Sequence, residues 1–220
     1  MEILALFTSI RSTLLSLSRS VQRGCDTERA ARLIDSNTLT SNDGKSQCSF
    51  ESLTASIRSP NVRAIADHWF TAKGSQLMLS WKQLQPARIK KQLPLIWALR
   101  YDPLTGQFIG RLAGQEIHRI IGKSIAGLSL CEIFPSEAVP SFSELLTRVV
   151  EGPRIYHCIG RIYELVGRYG PGERLVMPLA TDGVTADGVL GISQYYYPHA
   201  RVDGDSPKLE EWFSIHPPRR

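Results

Sequence analysis

Gly122-Lys123-Ser124 is the first place where residue types and spacing point to chemistry, because glycine, lysine and a hydroxyl in a row can end a phosphate-binding loop. Such a loop needs another glycine five residues before Gly122, so that backbone amides can cradle the phosphate, and position 117 is isoleucine. The triplet reads instead as a turn between two short helices. Gly106 to Gly114 is no dinucleotide fingerprint either, since it lies on a hairpin rather than on a strand-to-helix turn. Cys25, Cys48, Cys131 and Cys158 stand far apart with no CxxC pair, so neither a zinc site nor a redox disulfide is expected. No Ser/His/Asp order, carboxylate pair or metal-ligand spacing emerges, and no catalysis is expected.

Residues suited to binding are more numerous. Arg111 could anchor an anionic ligand or salt-bridge a loop carboxylate. His118 and His157 could face an internal cavity or sit as ordinary hydrogen-bonded histidines. Along an extended Tyr195-Tyr196-Tyr197, Tyr196 must point away from its two neighbours, either as packing or as a partner surface. With Trp97 in the first strand, these give Trp97, Arg111, His118, His157 and Tyr196 as ligand-facing candidates. They identify no cofactor and no particular ligand.

The elements that position them can be read from periodicity. Ser59-Pro60 is a helix start, and Val62, Ile65, Ala66, Trp69 and Phe70 line one face of the helix that follows, with a stop near Gly74. Ile65, Trp69 and Phe70 are therefore candidates for an interaction face that docks on the domain or pairs with a second copy. Pro86 to Gln92 predicts a short helix ended by Pro94. Leu95 to Tyr101 and Gln107 to Ala113 predict a hairpin around Asp102-Pro103-Leu104-Thr105-Gly106. Short helical pieces run from Gly114 to Phe134, and a longer helix spans about Ser141 to Glu151, where Ser141 and Glu144 have capping-box spacing. Three strands follow, Arg154 to Tyr163, Glu173 to Ala180 and Gly188 to Tyr197, with turns at Gly167 to Gly172 and Thr181 to Asp187. Strands flanking a helical insert predict an α+β domain, a five-stranded antiparallel sheet with helices on one face, preceded by an N-terminal helix.

The 220 residues are 42% hydrophobic and 21% charged, which suits one folded domain with extensions. A net charge of +5 without a marked basic cluster gives no reason to expect nucleic acid as a partner. Ile3, Phe7, Ile10, Leu14, Leu17 and Val21 form a heptad-spaced stripe beside Arg11, Arg19 and Arg23. That stripe fits peripheral contact with an anionic membrane or a partner helix, and a scaffold or localisation factor is the alternative function it carries. Asp35 to Ser52 reads as a polar linker. The expected division is thus 1–58 amphipathic segment and linker, 59–199 domain with its leading helix, and 200–220 tail. No secretory signal or membrane-spanning run is recognised, so a cytoplasmic location is expected.

Trp69, the Pro86 to Pro94 segment, Phe108-Ile109-Gly110-Arg111-Leu112-Ala113-Gly114, the bracketed turn Gly122-Lys123-Ser124-Ile125-Ala126-Gly127 and the strand Leu175-Val176-Met177-Pro178-Leu179 occur in that order. In these pieces the chain from about Ala64 to Pro198 resembles the PAS domain superfamily, in a divergent bacterial branch. The resemblance implies a sensory or regulatory protein acting in signal transduction through a small ligand or an unidentified signalling protein, as a homodimer. It departs from the pattern at Gly110, where an aromatic residue is common, and at Gln83, where aspartate is common. A haem ligand would be expected on the long helix, which has no histidine. Cys131 lies near the position of the reactive cysteine of flavin-binding light sensors, but AGLSLCEIF lacks the polar motif that holds the flavin.

Overall fold

Ser59 has extended backbone, its hydroxyl accepts from the Val62 amide, and Pro60 occupies the first helical turn, where its missing N–H costs no bond. In the computed structural model, which describes residues 50–165, 168–196 and 208–215, the helix so started is α2, Pro60–Ala72. A shorter helix, α1 (Phe50–Ser56), precedes it and includes the last three residues of the expected linker, with Leu53 wholly buried. The chain divides into two units, and every described residue belongs to the second, Gly44–Arg220. The stripe from Ile3 to Val21 and most of the linker lie outside the described residues.

Two 3-10 turns, Pro86–Ile89 and Leu93–Leu95, lead into β1 (Ile96–Asp102) and the hairpin strand β2 (Gln107–Ala113). The insert is α3 (Gln115–Ile121), α4 (Leu130–Ile133) and α5 (Val139–Glu151). α5 begins two residues before the sequence predicts, with Pro140 in its first turn. The capping box forms at Ser129 and Glu132, ahead of α4, and not at Ser141. β3 (Arg154–Leu165), β4 (Arg168–Leu179), β5 (Gly188–Tyr195) and β6 (Leu209–Ser214) complete one antiparallel sheet in the order β2-β1-β5-β4-β3-β6.

The structure therefore keeps the five expected strands and adds a sixth from the expected tail. Leu209–Ser214 pairs along Arg154–Ile159, with Phe213 buried beside Ile155 and Trp212 stacked 4.8 Å from Tyr156. The turn expected at Gly167 to Gly172 is largely strand, because Gly170, Pro171 and Gly172 pair across a bulge with Gly160 to Tyr163. Gly172 fits only without a side chain, since a Cβ there would lie 2.3 Å from the Gln194 carbonyl oxygen.

Strand alternation separates two buried faces. Trp97 and Leu99 of β1, Tyr156 and Cys158 of β3, Arg174 and Val176 of β4 and Ser193 of β5 share the inner face, under α5 and the rest of the insert. His157, Glu173, Leu175, Ile192 and Gln194 share the outer face, where Asn61 of α2 donates to Gln194. The helices thus cover both faces, α3–α5 the inner and α1–α2 the outer. This is why Leu175–Leu179 of β4 and Gly188–Ser193 of β5 are buried without a break.

Gly110 explains its own departure from the aromatic pattern. A Cβ at that position would lie 1.9 Å from the Ile125 carbonyl oxygen, in the place where Gly110 exchanges backbone hydrogen bonds with Gly127 and Leu128. Gly110→Ala should force this loop off β2 and cost about 1–3 kcal/mol, read as a lower guanidinium midpoint.

Candidate functional site: a cavity on the inner face and a buried carboxylate behind it

α5 carries Phe142 and Leu145 toward the sheet because its apolar residues recur at helical spacing, with Leu146, Val149 and Val150 filling the core. Between its first turns and the inner face of β3 and β4 lies a cavity of about 390 Å³, at the small end of the range for ligand sites. Its walls are Ile121, Ile133, Phe134, Phe142 and Leu145 on the helical side, and Tyr156, Cys158, Ile162 and Arg174 on the sheet. An inner void of about 30 Å³ adjoins it, lined by Trp97, Leu99, Phe142, Arg174 and Tyr195. That void has room for one water.

The polar groups of the inner face are fixed by one another. Ser193 is wholly buried, and its Oγ accepts from the Trp97 indole N–H at 3.1 Å and from Arg174 Nε at 3.1 Å. The guanidinium carbon stands 5.6 Å from the Phe142 ring centre and 6.0 Å from that of Trp97. Gly191 makes room for the Trp97 ring, since a Cβ there would lie 2.1 Å from it. Burial pushes the Cys158 thiol up, which keeps it protonated and unsuited to nucleophilic attack. Burial, then a 2.6 Å bond to Glu210 Oε1, pushes Tyr156 up as well.

Directly behind, on the outer face, Glu173 is wholly buried and accepts four hydrogen bonds. The Arg58 amide gives one at 2.9 Å and the Ser59 amide one at 2.6 Å, both at the entry to α2. His157 Nε2 lies 2.8 Å away and the Tyr196 hydroxyl 3.0 Å away. His157 Nδ1 is 3.3 Å from both Ser56 Oγ and Glu211 Oε2. Burial acts to raise the Glu173 pKa, but the bonds from His157, Arg58, Ser59 and Tyr196 outweigh it and hold the carboxyl below its usual range. The group is a carboxylate that ties the start of α2 and the end of α1 to β3, β4 and β6.

The candidates read from the sequence divide between these places. Trp97 lines the inner void. His157 and Tyr196 meet, but around Glu173 on the outer face and not in the cavity. Arg111 falls at the β1–β2 bulge, exposed, and stacks 4.2 Å over Trp81, so it neither reaches the cavity nor forms an ion pair among the described residues. His118 lies on α3 outside the cavity wall. Ile65 and Trp69 are wholly buried against the chain's own sheet, with the Trp69 indole donating to the Pro178 carbonyl at 3.0 Å, and Phe70 is half-buried between Phe50 and Trp69. The face expected to dock or to pair with a second copy is thus used within the chain. Arg174, Phe142 and Ser193 were missed as site residues. The signal for Arg174 was the adjacent pair Glu173-Arg174 inside an apolar strand, which must send one charge to each buried face.

A helical insert between the second and third strands of an antiparallel sheet, closing a cavity against its inner face, defines the class as α+β domains with an internal cavity. The chain belongs to the PAS domain family, which its sequence matches over residues 57–194. No curated protein matches it. Among solved structures it is similar to the Vibrio cholerae VqmA dimer, described with LuxR-type receptors, at 17% identity and a TM-score of 0.41, covering 52% of each chain. It is similar to VqmA bound to DPO at 17% identity and a TM-score of 0.41, over 52% of this chain and 57% of that one. The phage VqmA–DPO complex matches at 16% identity and a TM-score of 0.38, over 50% of this chain and 51% of the other. The chain thus spans about half the length of the VqmA chains it matches, and the dimer, DPO and DNA named with them belong to VqmA.

Proposed function

We propose that this protein is a PAS-type sensor that binds a small molecule in the cavity under α5 and signals to a partner by changing how α1 and α2 dock on the opposite face of the sheet. It acts by binding alone, without catalysis. One observation carries the reading. Consecutive residues of β4 serve the two faces, Arg174 in the cavity wall and Glu173 on the amides that open α2. A ligand can shift such a system only by the difference between its affinities for two arrangements. A small rotation of β4 about its own axis would change the cavity and the Glu173 bonds together.

Native mass spectrometry of the full chain, followed by denaturing spectra, tests the binding. The expected result is a retained molecule of small mass at one per chain, lost on denaturation, and the same spectrum reads the homodimer that this reading includes. Hydrogen exchange tests the output. The Arg58 and Ser59 amides and the first turn of α2 should change protection when the retained molecule is dialysed out. A chain that carries no molecule, and whose exchange there is indifferent to the small-molecule fraction of its host cells, would refute the proposal.

A further inference from the structure

Arg174 is out of place for a purely structural residue. Arg174 is half-buried on the cavity side of a central strand, where a cation loses part of its hydration, and the usual compensation is a carboxylate within salt-bridge reach. Among the described residues no carboxylate pairs with Arg174, and its one recorded hydrogen bond runs from Nε to the Ser193 hydroxyl. The aromatic rings offer little in return, since 5.6 Å and 6.0 Å lie close to the ~6 Å limit at which a cation–π contact still counts. Other charges around the cavity do not supply the missing partner. Lys208 and Arg161 add positive charge to its wall, Lys208 being engaged by Glu210, and Glu137 alone is acidic among the residues that line it.

Resting on the sensor reading above, we infer that the molecule held under α5 is a small organic carboxylate with a flat apolar body, and that Arg174 recognises its charge. Nε is committed to Ser193, so the guanidinium plane is fixed and its two Nη groups remain to form a paired contact with a carboxylate. Ser193 acts through Arg174: it is wholly buried behind the cavity wall, and its oxygen accepts from both Trp97 and Arg174, which holds the guanidinium in place. Phe134 and Phe142 stack edge-to-face at 4.8 Å beside the guanidinium and give the apolar body a flat wall. Bulk is limited by the volume of about 390 Å³, and the aromatic and aliphatic lining favours an anion with an apolar body over a compact polyanion.

The test compares two probes of equal shape, benzoate and benzamide, on the full chain at about 10 mM, where weak fragments register. Readouts are tryptophan fluorescence, since Trp97 lies at the site, and the thermal midpoint. Benzoate should saturate and raise the midpoint, and benzamide should bind at least about ten-fold more weakly. Arg174→Gln should bring benzoate down to the affinity of benzamide, and Ser193→Ala should weaken benzoate less, because the charge remains. Equal binding of the two probes by the unaltered chain, or an unchanged benzoate affinity in Arg174→Gln, would overturn the carboxylate inference and leave the sensor reading standing. If neither probe perturbs the unaltered chain, the cavity takes no such molecule, and a retained molecule that proves neutral would place the failure in the charge inference rather than in sensing. Because the probe comparison needs no variant, it holds even if Arg174→Gln fails to fold.

Discussion

Replacing Glu173 with alanine should destabilise the folded chain by about 3–5 kcal/mol, the loss expected when one member of a buried charged network is removed and its partners are left unpaired. The size follows from what is stranded. The Arg58 and Ser59 amides and His157 Nε2 all point at this carboxylate, and of the residues that supply its four donors Ser59 and His157 are buried, while Arg58 and Tyr196 stand at the surface, where water can replace the acceptor. For a chain of this length the thermal midpoint should fall by roughly 10 °C. Glu173→Gln should recover part of the loss, since an amide keeps one acceptor oxygen but sets an N–H against donors at its other end. The pH dependence has a fixed sign. Because the folded carboxyl titrates below its usual value, its contribution is complete above about pH 5 and disappears as the pH falls through the folded pKa. Glu173→Ala should therefore lose the acid-sensitive part of the stability, and its unfolding free energy should depend less on pH below the usual carboxylate range than that of the unaltered chain. A loss under about 1 kcal/mol in guanidinium titrations would mean that α1 and α2 hold to the sheet without this anchor.

The anchor also shows what sequence can and cannot convey here. β2 was legible to the residue and α2 nearly so, because a hairpin turn, a proline-led helix start and a clean apolar period are local signals. β6 was not, since the apolar residues of Leu209 to Ser214, namely Leu209, Trp212 and Phe213, do not alternate, and the segment becomes a strand by pairing with β3. The start of β4 was hidden for the opposite reason: Gly170-Pro171-Gly172 has turn chemistry, yet a bulge in the partner strand accommodates it. His157 and Tyr196 were legible as polar residues needing partners, but they lie 39 residues apart in the sequence, and only the register of β3, β4 and β5 brings both to Glu173. Alternation could have assigned Glu173 and Arg174 to opposite faces. It could not have said that both faces are covered, because α1 begins where composition reads as linker.

Trp69→Ala should cost about 3–5 kcal/mol, and the way that loss depends on protein concentration decides between two uses of the α2 face. Trp69 is wholly buried, its ring lies 5.0 Å from that of Phe70, and its indole N–H satisfies the Pro178 carbonyl. The alanine variant therefore leaves both a cavity and an acceptor without its donor. Trp69→Phe should cost less, about 1–2 kcal/mol, because most of the volume is kept and only the hydrogen bond and the second ring are lost. If the α2 face instead held a second copy of the chain, the unaltered protein would melt at a midpoint that rises with concentration and the variant would not. The contacts of Trp69 within its own chain require the same loss at every concentration across about a hundred-fold range. The same burial bears on signalling: α2 can change its docking only by exposing Trp69, Ile65 and Val62, so an undocked state would present a fresh apolar face to a partner. Trp69→Ala should raise the population of that state and, with it, the hydrogen exchange of α2, without altering the residues that line the cavity under α5. Unchanged exchange in α2 of the variant would separate the helix from the output.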